Sequence, residues 1–164
     1  MRSKSDAFTL IELLVAVGVL AVLAAIVLVA VDPAKRFAQA RDARRSAETY
    51  SILNAILNYM SDNGGAVPPG LDGDAGTSQV LGTAGSGCNT GCTQAGTTQS
   101  SCLDLTTALV DKYIVSIPID PRGNNGSVSY DASRTGYYVN KTANDRIVVG
   151  TCDPERAASI MSSR

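Results

Sequence analysis

The chain has 164 residues, a formal net charge of −1 and no histidine. Without histidine the usual Ser-His and Cys-His forms of nucleophilic catalysis are excluded, and the near-zero charge gives no electrostatic sign of a nucleic-acid-binding protein. An apolar N-terminal stretch precedes a polar remainder of about 130 residues, which is long enough for one small domain.

The N-terminal 31 residues have the pattern of a membrane-spanning helix. A polar leader, residues 1–7, is followed by an apolar run at residues 8–31, and no polar side chain occurs from Leu13 to Val31. A helix over that interval would be roughly 28 Å long, close to the ~30 Å hydrocarbon core of a bilayer. The run exceeds the ~7–15 residues of a secretory signal's apolar region, so the pattern favours an anchor.

Glu12 is the one charged residue near the start of this run. An ionised carboxylate in hydrocarbon costs ~2.5–3.5 kcal/mol, so a partner is expected, and no lysine or arginine is near in the sequence. Two interpretations are open. Glu12 lies in the first helical turn, where the helix dipole favours an acid, or it pairs with an amine.

Residues 7–15, AFTLIELLV, resemble the processing motif of type IV pilins and of the pseudopilins of type II secretion. The resemblance implies that a prepilin peptidase cuts between Ala7 and Phe8 and that the new amine of Phe8 is methylated. It also implies that Glu12 meets the N-terminal amine of a neighbouring subunit. Ala7 departs from the family's usual glycine, although it is also small.

A second helical segment follows an expected break at Pro33. Asp32 before Pro33 is typical of a helix start, whereas a proline inside a continuous helix would kink it. The helix is expected to end near Asp62, before two glycines. Its apolar stripe, which requires a packing partner, comprises Ala43, Ala47, Tyr50, Leu53, Ile56 or Leu57, and Met60.

Residues 32–48 contain five basic and three acidic residues, whereas residues 61–164 contain seven basic and ten acidic ones. We expect the basic cluster to form a solvated, membrane-proximal face. Contact with lipid head groups or with acids of neighbouring subunits is the alternative. The mildly acidic C-terminal part argues against direct nucleic-acid binding.

The remainder is predicted to form a small α+β head. Residues 63–101 are rich in Gly, Ser and Thr and predict a long surface loop without a core. A helix is expected at residues 101–113, strands at 127–130, 136–140 and 146–151, and a short helix or frayed tail from Asp153. The three strands would form an antiparallel meander that covers the helix stripe.

Four cysteines, Cys88, Cys92, Cys102 and Cys152, lie behind the apolar run, which indicates disulfides in an oxidising compartment. A zinc site is the weaker alternative, because two CxxC pairs and histidine ligands are missing. Three disulfide pairings exist. A 102–152 bridge would close the head and leave 88–92 as a small loop bridge.

No cofactor is expected. Asp120, Asp131 and Asp145 lie in turns that could bind calcium, since some pseudopilins, which the motif resembles, carry calcium in a similar region. These acids do not alternate as they do in an EF-hand loop, so we expect solvated turn residues instead.

The predicted fold is α+β, with a long N-terminal helix packed on a small antiparallel β-sheet head. The predicted parts are a cleaved leader (1–7), a transmembrane or filament-core helix (8–31), its amphipathic continuation (32–62) and the head (63–164). Counting bases alone would place the head in the cytoplasm. The cysteines and the resemblance place it outside.

The resemblance implies a structural role rather than an enzyme: a major or minor pilin of a homo-oligomeric helical filament. The implied partners are prepilin peptidase, an inner-membrane assembly machinery and, before assembly, membrane lipid. The location would change from the bacterial inner membrane to an extracellular pilus or a periplasmic pseudopilus. A pseudopilin of a secretion or DNA-uptake system, and a monomeric membrane-anchored binding module, are the alternatives.

Overall fold

The computed structural model describes residues 8–123 and 128–164, which separate into two compact units, up to Phe37 and from Ala38 onward. The described elements are α1 (Leu10–Val31), α2 (Pro33–Asp62), β1 (Gln79–Val80), a 3-10 turn (Thr93–Ala95), α3 (Thr106–Leu109), β2 (Tyr137–Lys141), β3 (Ile147–Thr151) and β4 (Met161–Ser163). The fold is α+β with a long apolar N-terminal helix, as predicted.

The first unit is dominated by α1, none of whose residues is buried. Within the described residues, α1 is the one helix that is long and apolar enough to cross a membrane. It ends where Asp32 adopts a left-handed backbone conformation, with φ 45° and ψ 80°. The Asp32 side chain accepts the backbone N–H of Lys35 at 3.3 Å, so the same residue also caps the start of α2, which begins at Pro33.

The second unit is built on a four-stranded antiparallel sheet in the order β1-β2-β3-β4. Alternate residues of each strand point to opposite faces. On one face Tyr137 and Val139 of β2, with Val149 of β3, join the main core, to which α2 contributes Ile52 and Ile56. The sheet therefore covers the C-terminal half of α2, as the sequence predicted.

The other face of the sheet is covered by the Gly/Ser/Thr-rich segment. A second core cluster unites Val80, Cys88, Cys92, Tyr138 and other buried side chains. The prediction that residues 63–101 bury no core was therefore wrong. Backbone bridges and disulfides hold this segment, and these contacts leave no hydrophobic periodicity in the sequence.

The central strands were predicted to within one residue, but the edges of the sheet were not. β1 and β4 have only two and three residues, and their pairing with longer strands stabilises them rather than their own pattern. Residues 128–130 form no strand, and Ser127 of that predicted strand lies outside the described residues. The helix expected at 101–113 is one turn, Thr106–Leu109.

The predicted apolar stripe of α2 holds only toward its C-terminal end. Leu53 and Ile56 are buried as expected, but Tyr50 is 57% exposed, and Ala43 and Ala47 are also exposed. The buried side of this helix at residues 42–49 instead consists of Asp42, Arg45 and Thr49. Apolar periodicity cannot reveal a helix face whose burial depends on charge pairing.

Arg45 is completely buried and lies at the centre of a carboxylate cluster. Its Nε and Nη2 donate to the two carboxylate oxygens of Asp120, each at 2.8 Å. Its Nη1 donates to Asp42 at 2.8 Å and to Glu155 at 2.9 Å. Bidentate pairing with extra acceptors is the geometry in which a buried guanidinium is tolerated. The expectations that Arg45 and Asp120 are solvated were therefore wrong.

The cluster also ties the C-terminal segment to α2. Asp42 accepts the backbone N–H groups of Glu155, Arg156 and Ala157 at 2.9, 2.6 and 3.0 Å. Burial opposes ionisation of Asp42, but these three donors hold its pKa below the usual value. Hydrogen bonds from Arg41 and then Arg45 lower the pKa of Glu155 to about 2. Both acids are therefore ionised at neutral pH.

The four cysteines form two disulfides, Cys88–Cys102 and Cys92–Cys152. Disulfide bonding was predicted correctly. The sequence left three pairings open, and the 102–152 and 88–92 pairing considered there is not the one that forms. Both bridges lie in the second core cluster, and Cys92–Cys152 ties the 63–101 segment to the end of β3. The spacing of the cysteines in the sequence does not indicate that residues 63–101 fold back over the sheet, so it could not predict the pairing.

We predict that Arg45→Ala lowers the free energy of unfolding of the head by about 3–5 kcal/mol, because Asp120 is left buried without its counter-charge. The matched control is Arg44→Ala, which removes a pair between a largely exposed arginine and Glu48 and should cost less than about 1 kcal/mol. Urea unfolding of the detergent-solubilised chain, followed by tyrosine fluorescence, measures both. Equal losses would contradict the role assigned to Arg45.

The two disulfides should differ in their effect on stability, because they close segments of 60 and 14 residues. On the chain-entropy relation, replacing Cys92 and Cys152 by serine should cost about 1.3 kcal/mol more than replacing Cys88 and Cys102. The same urea titration compares the two double variants. A larger loss for the shorter bridge would show that native packing, rather than loop closure, dominates.

Candidate functional site

The N-terminal end of α1 holds the residues that the motif singles out. Phe8 is 84% exposed, and Ala7, on the other side of the predicted cut, lies outside the described residues. Thr9 is the N-cap of α1, in an extended conformation with φ −81° and ψ 148°. Its hydroxyl accepts the backbone N–H of Glu12 at 3.3 Å, as N-cap side chains commonly do.

Glu12 completes a capping box with Thr9. The Thr9 backbone N–H donates to Glu12 Oε2 at 3.0 Å, and the Thr9 hydroxyl donates to the same oxygen at 2.8 Å. Within a single chain the carboxylate is thus partnered by its own helix start. The sequence TLIE at residues 9–12 carries the capping-box pattern, so the signal that predicts Thr9's role was present but overlooked.

After Glu12, the surface of α1 is apolar on all sides and contains small residues. A side chain added at Gly18 would meet no atom of the chain within 4 Å, so the helix backbone is open to close approach there. In a membrane or in a bundle of helices, hydrophobicity alone does not drive helices to associate. Small residues favour association there because they let the helices pack tightly. The small residues of this helix are Ala16, Gly18, Ala21, Ala24 and Ala25.

The structure separates the predicted site residues into two regions. Phe8, Glu12 and Pro33 belong to the first unit, and the four cysteines belong to the head. Phe8 and Glu12 lie at the start of α1, Pro33 lies just after its end, and the four cysteines lie in the second core cluster of the head.

The head has a cleft of about 330 Å³ that sequence reasoning did not predict. Its walls are mainly apolar, with Asp104 and a few hydroxyl groups among them. No single motif encodes this cleft, because its walls come from segments distant in sequence. They include Leu81, Leu103, Leu105, Val110, Ile117 and Ile119.

The three acids considered for calcium have other partners. Asp120 binds Arg45, Asp131 accepts the backbone N–H groups of Ser133 and Arg134, and Asp145 pairs with Lys141 at 2.8 Å. Across residues 8–123 and 128–164, no group of three or more Asp, Glu, Cys or His side chains is placed to hold a metal ion.

Comparison with known proteins gives one match. A family profile described as "Prokaryotic N-terminal methylation motif" matches residues 2–28. Neither a curated protein nor a solved structure matches the chain. The matched interval includes Phe8, Thr9 and Glu12 and most of α1, so it coincides with the capped apolar helix described above. Residues 2–28 carry the prepilin-type motif of type IV pilins and pseudopilins, a structural motif that implies prepilin peptidase processing and filament assembly.

Proposed function

We propose that this chain is a structural subunit, a major or minor pilin, of a type IV pilus-like filament. The observation that carries the proposal is the methylation motif placed on a fully exposed, capped apolar helix. Prepilin peptidase would remove the 1–7 leader, and the amine of Phe8 would be methylated. Residues 8–31 would then leave the membrane for the filament core, while 32–62 would serve as the spine of the 63–164 head.

Glu12 would direct the assembly of subunits. Moving α1 from lipid into a helix bundle exchanges one apolar environment for another, so hydrophobic burial provides little net drive. A carboxylate and an amine brought together at low dielectric attract strongly and fix the register. The contact with Thr9 would keep Glu12 partnered in the membrane until the amine of a neighbouring Phe8 replaces it.

The proposed location is the inner membrane, with the head on the non-cytoplasmic side, before assembly by the inner-membrane machinery. Two disulfides fit an oxidising compartment. A periplasmic pseudopilus is the alternative destination within the same family. The apolar cleft of the head favours a second candidate function, a monomeric membrane-anchored binding module.

The native N-terminus tests the processing step. Mass spectrometry of the chain purified from its own cells should find N-methyl-Phe8 as the first residue, because the motif directs cleavage after Ala7. An intact leader would reject the pilin proposal and favour the binding module. Extracellular filaments that contain the processed chain would favour a pilin over a pseudopilin.

Replacing Glu12 by glutamine separates charge pairing from helix capping. Glutamine can still accept the Thr9 N–H in a capping box, but it carries no charge for a neighbouring amine. We expect Glu12→Gln to insert into the membrane normally and to reduce the yield of sheared filaments by about tenfold or more, the equivalent of a pair worth roughly 1.4 kcal/mol. Normal filament yield would leave Glu12 with the capping role alone.

A further inference from the structure

The structure divides the basic residues that follow α1 into two classes. Arg41, Arg44 and Arg45 each pair with a carboxylate of their own chain. Lys35 and Arg36 are exposed, and no acid of residues 8–123 or 128–164 forms an ion pair with either. These two cations are therefore available to a partner outside the chain. The sequence alone presents all five as equivalent.

Phe37 follows these two cations directly and is 65% exposed. A large apolar ring left in water is unfavourable, and helices that lie at a membrane surface combine Lys and Arg with Trp, Phe or Leu. The three residues thus combine two charges and one apolar ring within a single helical turn at the start of α2.

The length of α1 places this turn at such a boundary. Its 22 residues span about 33 Å, which matches the ~30 Å hydrocarbon core with a slight tilt. Val31 then lies near one surface of the bilayer, and Asp32 ends the apolar helix there with its left-handed backbone. Residues 35–37 come four to six positions later and belong to the same compact unit as α1.

We propose that Lys35, Arg36 and Phe37 form a membrane-surface site that binds the phosphate groups of anionic phospholipids. The inference rests on the proposed membrane-inserted state of α1. The guanidinium of Arg36 offers a planar pair of donors to a phosphate, Lys35 adds a compact charge, and the Phe37 ring inserts beside the acyl chains. Each cation near an anionic surface increases affinity roughly fivefold. Assembly would require the subunit to release this lipid.

The absence of tryptophan from the chain makes a clean depth measurement possible. The full chain is placed in vesicles as the Phe37→Trp variant or, as a control, as the Val22→Trp variant with its indole near the middle of α1. Lipids brominated near the head group should quench the Phe37→Trp variant most, and lipids brominated near the chain end should quench the Val22→Trp variant most. If the control is not quenched, the membrane-spanning proposal fails. If the control is quenched and the Phe37→Trp variant is not, only the lipid site fails.

The lipid preference is measured with the Phe37→Trp variant in mixed vesicles. At equal mole fraction, a brominated anionic phospholipid should be enriched over a brominated zwitterionic one by about fivefold or more around the introduced indole. Adding Lys35→Gln and Arg36→Gln should remove the enrichment, and high salt should weaken it. Adding Arg44→Gln, which neutralises an arginine already paired with Glu48, should leave it unchanged.

Three outcomes would overturn the proposal. If the lipid enrichment persists after Lys35 and Arg36 are replaced, other residues must cause it. Loss of enrichment on adding inorganic phosphate at constant ionic strength would indicate a site for free phosphate rather than lipid. Quenching of the Phe37→Trp variant by a brominated label on a second copy of the chain, without anionic lipid preference, would indicate a protein neighbour. Circular dichroism of each variant checks that the helices are retained.

Discussion

The buried guanidinium of Arg45 is the interaction on which the head depends. Three carboxylates converge on it: Asp42 from the preceding turn of α2, and Asp120 and Glu155 from segments far along the chain. An unpaired charge in this position would cost several kilocalories per mole, and the guanidinium offsets the mutual repulsion of the three carboxylates by donating to each of them. The cluster holds the segment around Asp120 and the C-terminal segment against α2.

A related constraint governs the first unit, where the polar group is Glu12. Hydrocarbon does not tolerate an unpartnered carboxylate, and the capping box provides partners within the same helix turn. This pairing is local and forms within a single chain. The Arg45 cluster, in contrast, is assembled from segments that are distant in the sequence.

The structure of the head explains why the sequence predicted that the cysteines form disulfides but not which cysteines pair. An even count and a position behind an apolar anchor indicate disulfides whatever the fold. Pairing depends on which Cα atoms come within about 5–6 Å, and the folding back of residues 63–101 over the sheet decides this. The same folding back created β1 and the second core cluster, which composition had assigned to a surface loop.

The sequence by itself determined the features that depend on neighbouring residues: the apolar span of α1, the motif at residues 7–12, the end of α2 and the two central strands. Helix and strand periodicity, helix caps and the backbone limits that proline imposes all act over a few residues. They can therefore be recognised in the sequence. The tertiary structure alone decided that Arg45 and Asp120 are buried, that Ala43 and Tyr50 are exposed, and which cysteines pair. Those outcomes depend on which distant charges and backbone segments come into contact in the folded chain. A local sequence pattern does not contain that information.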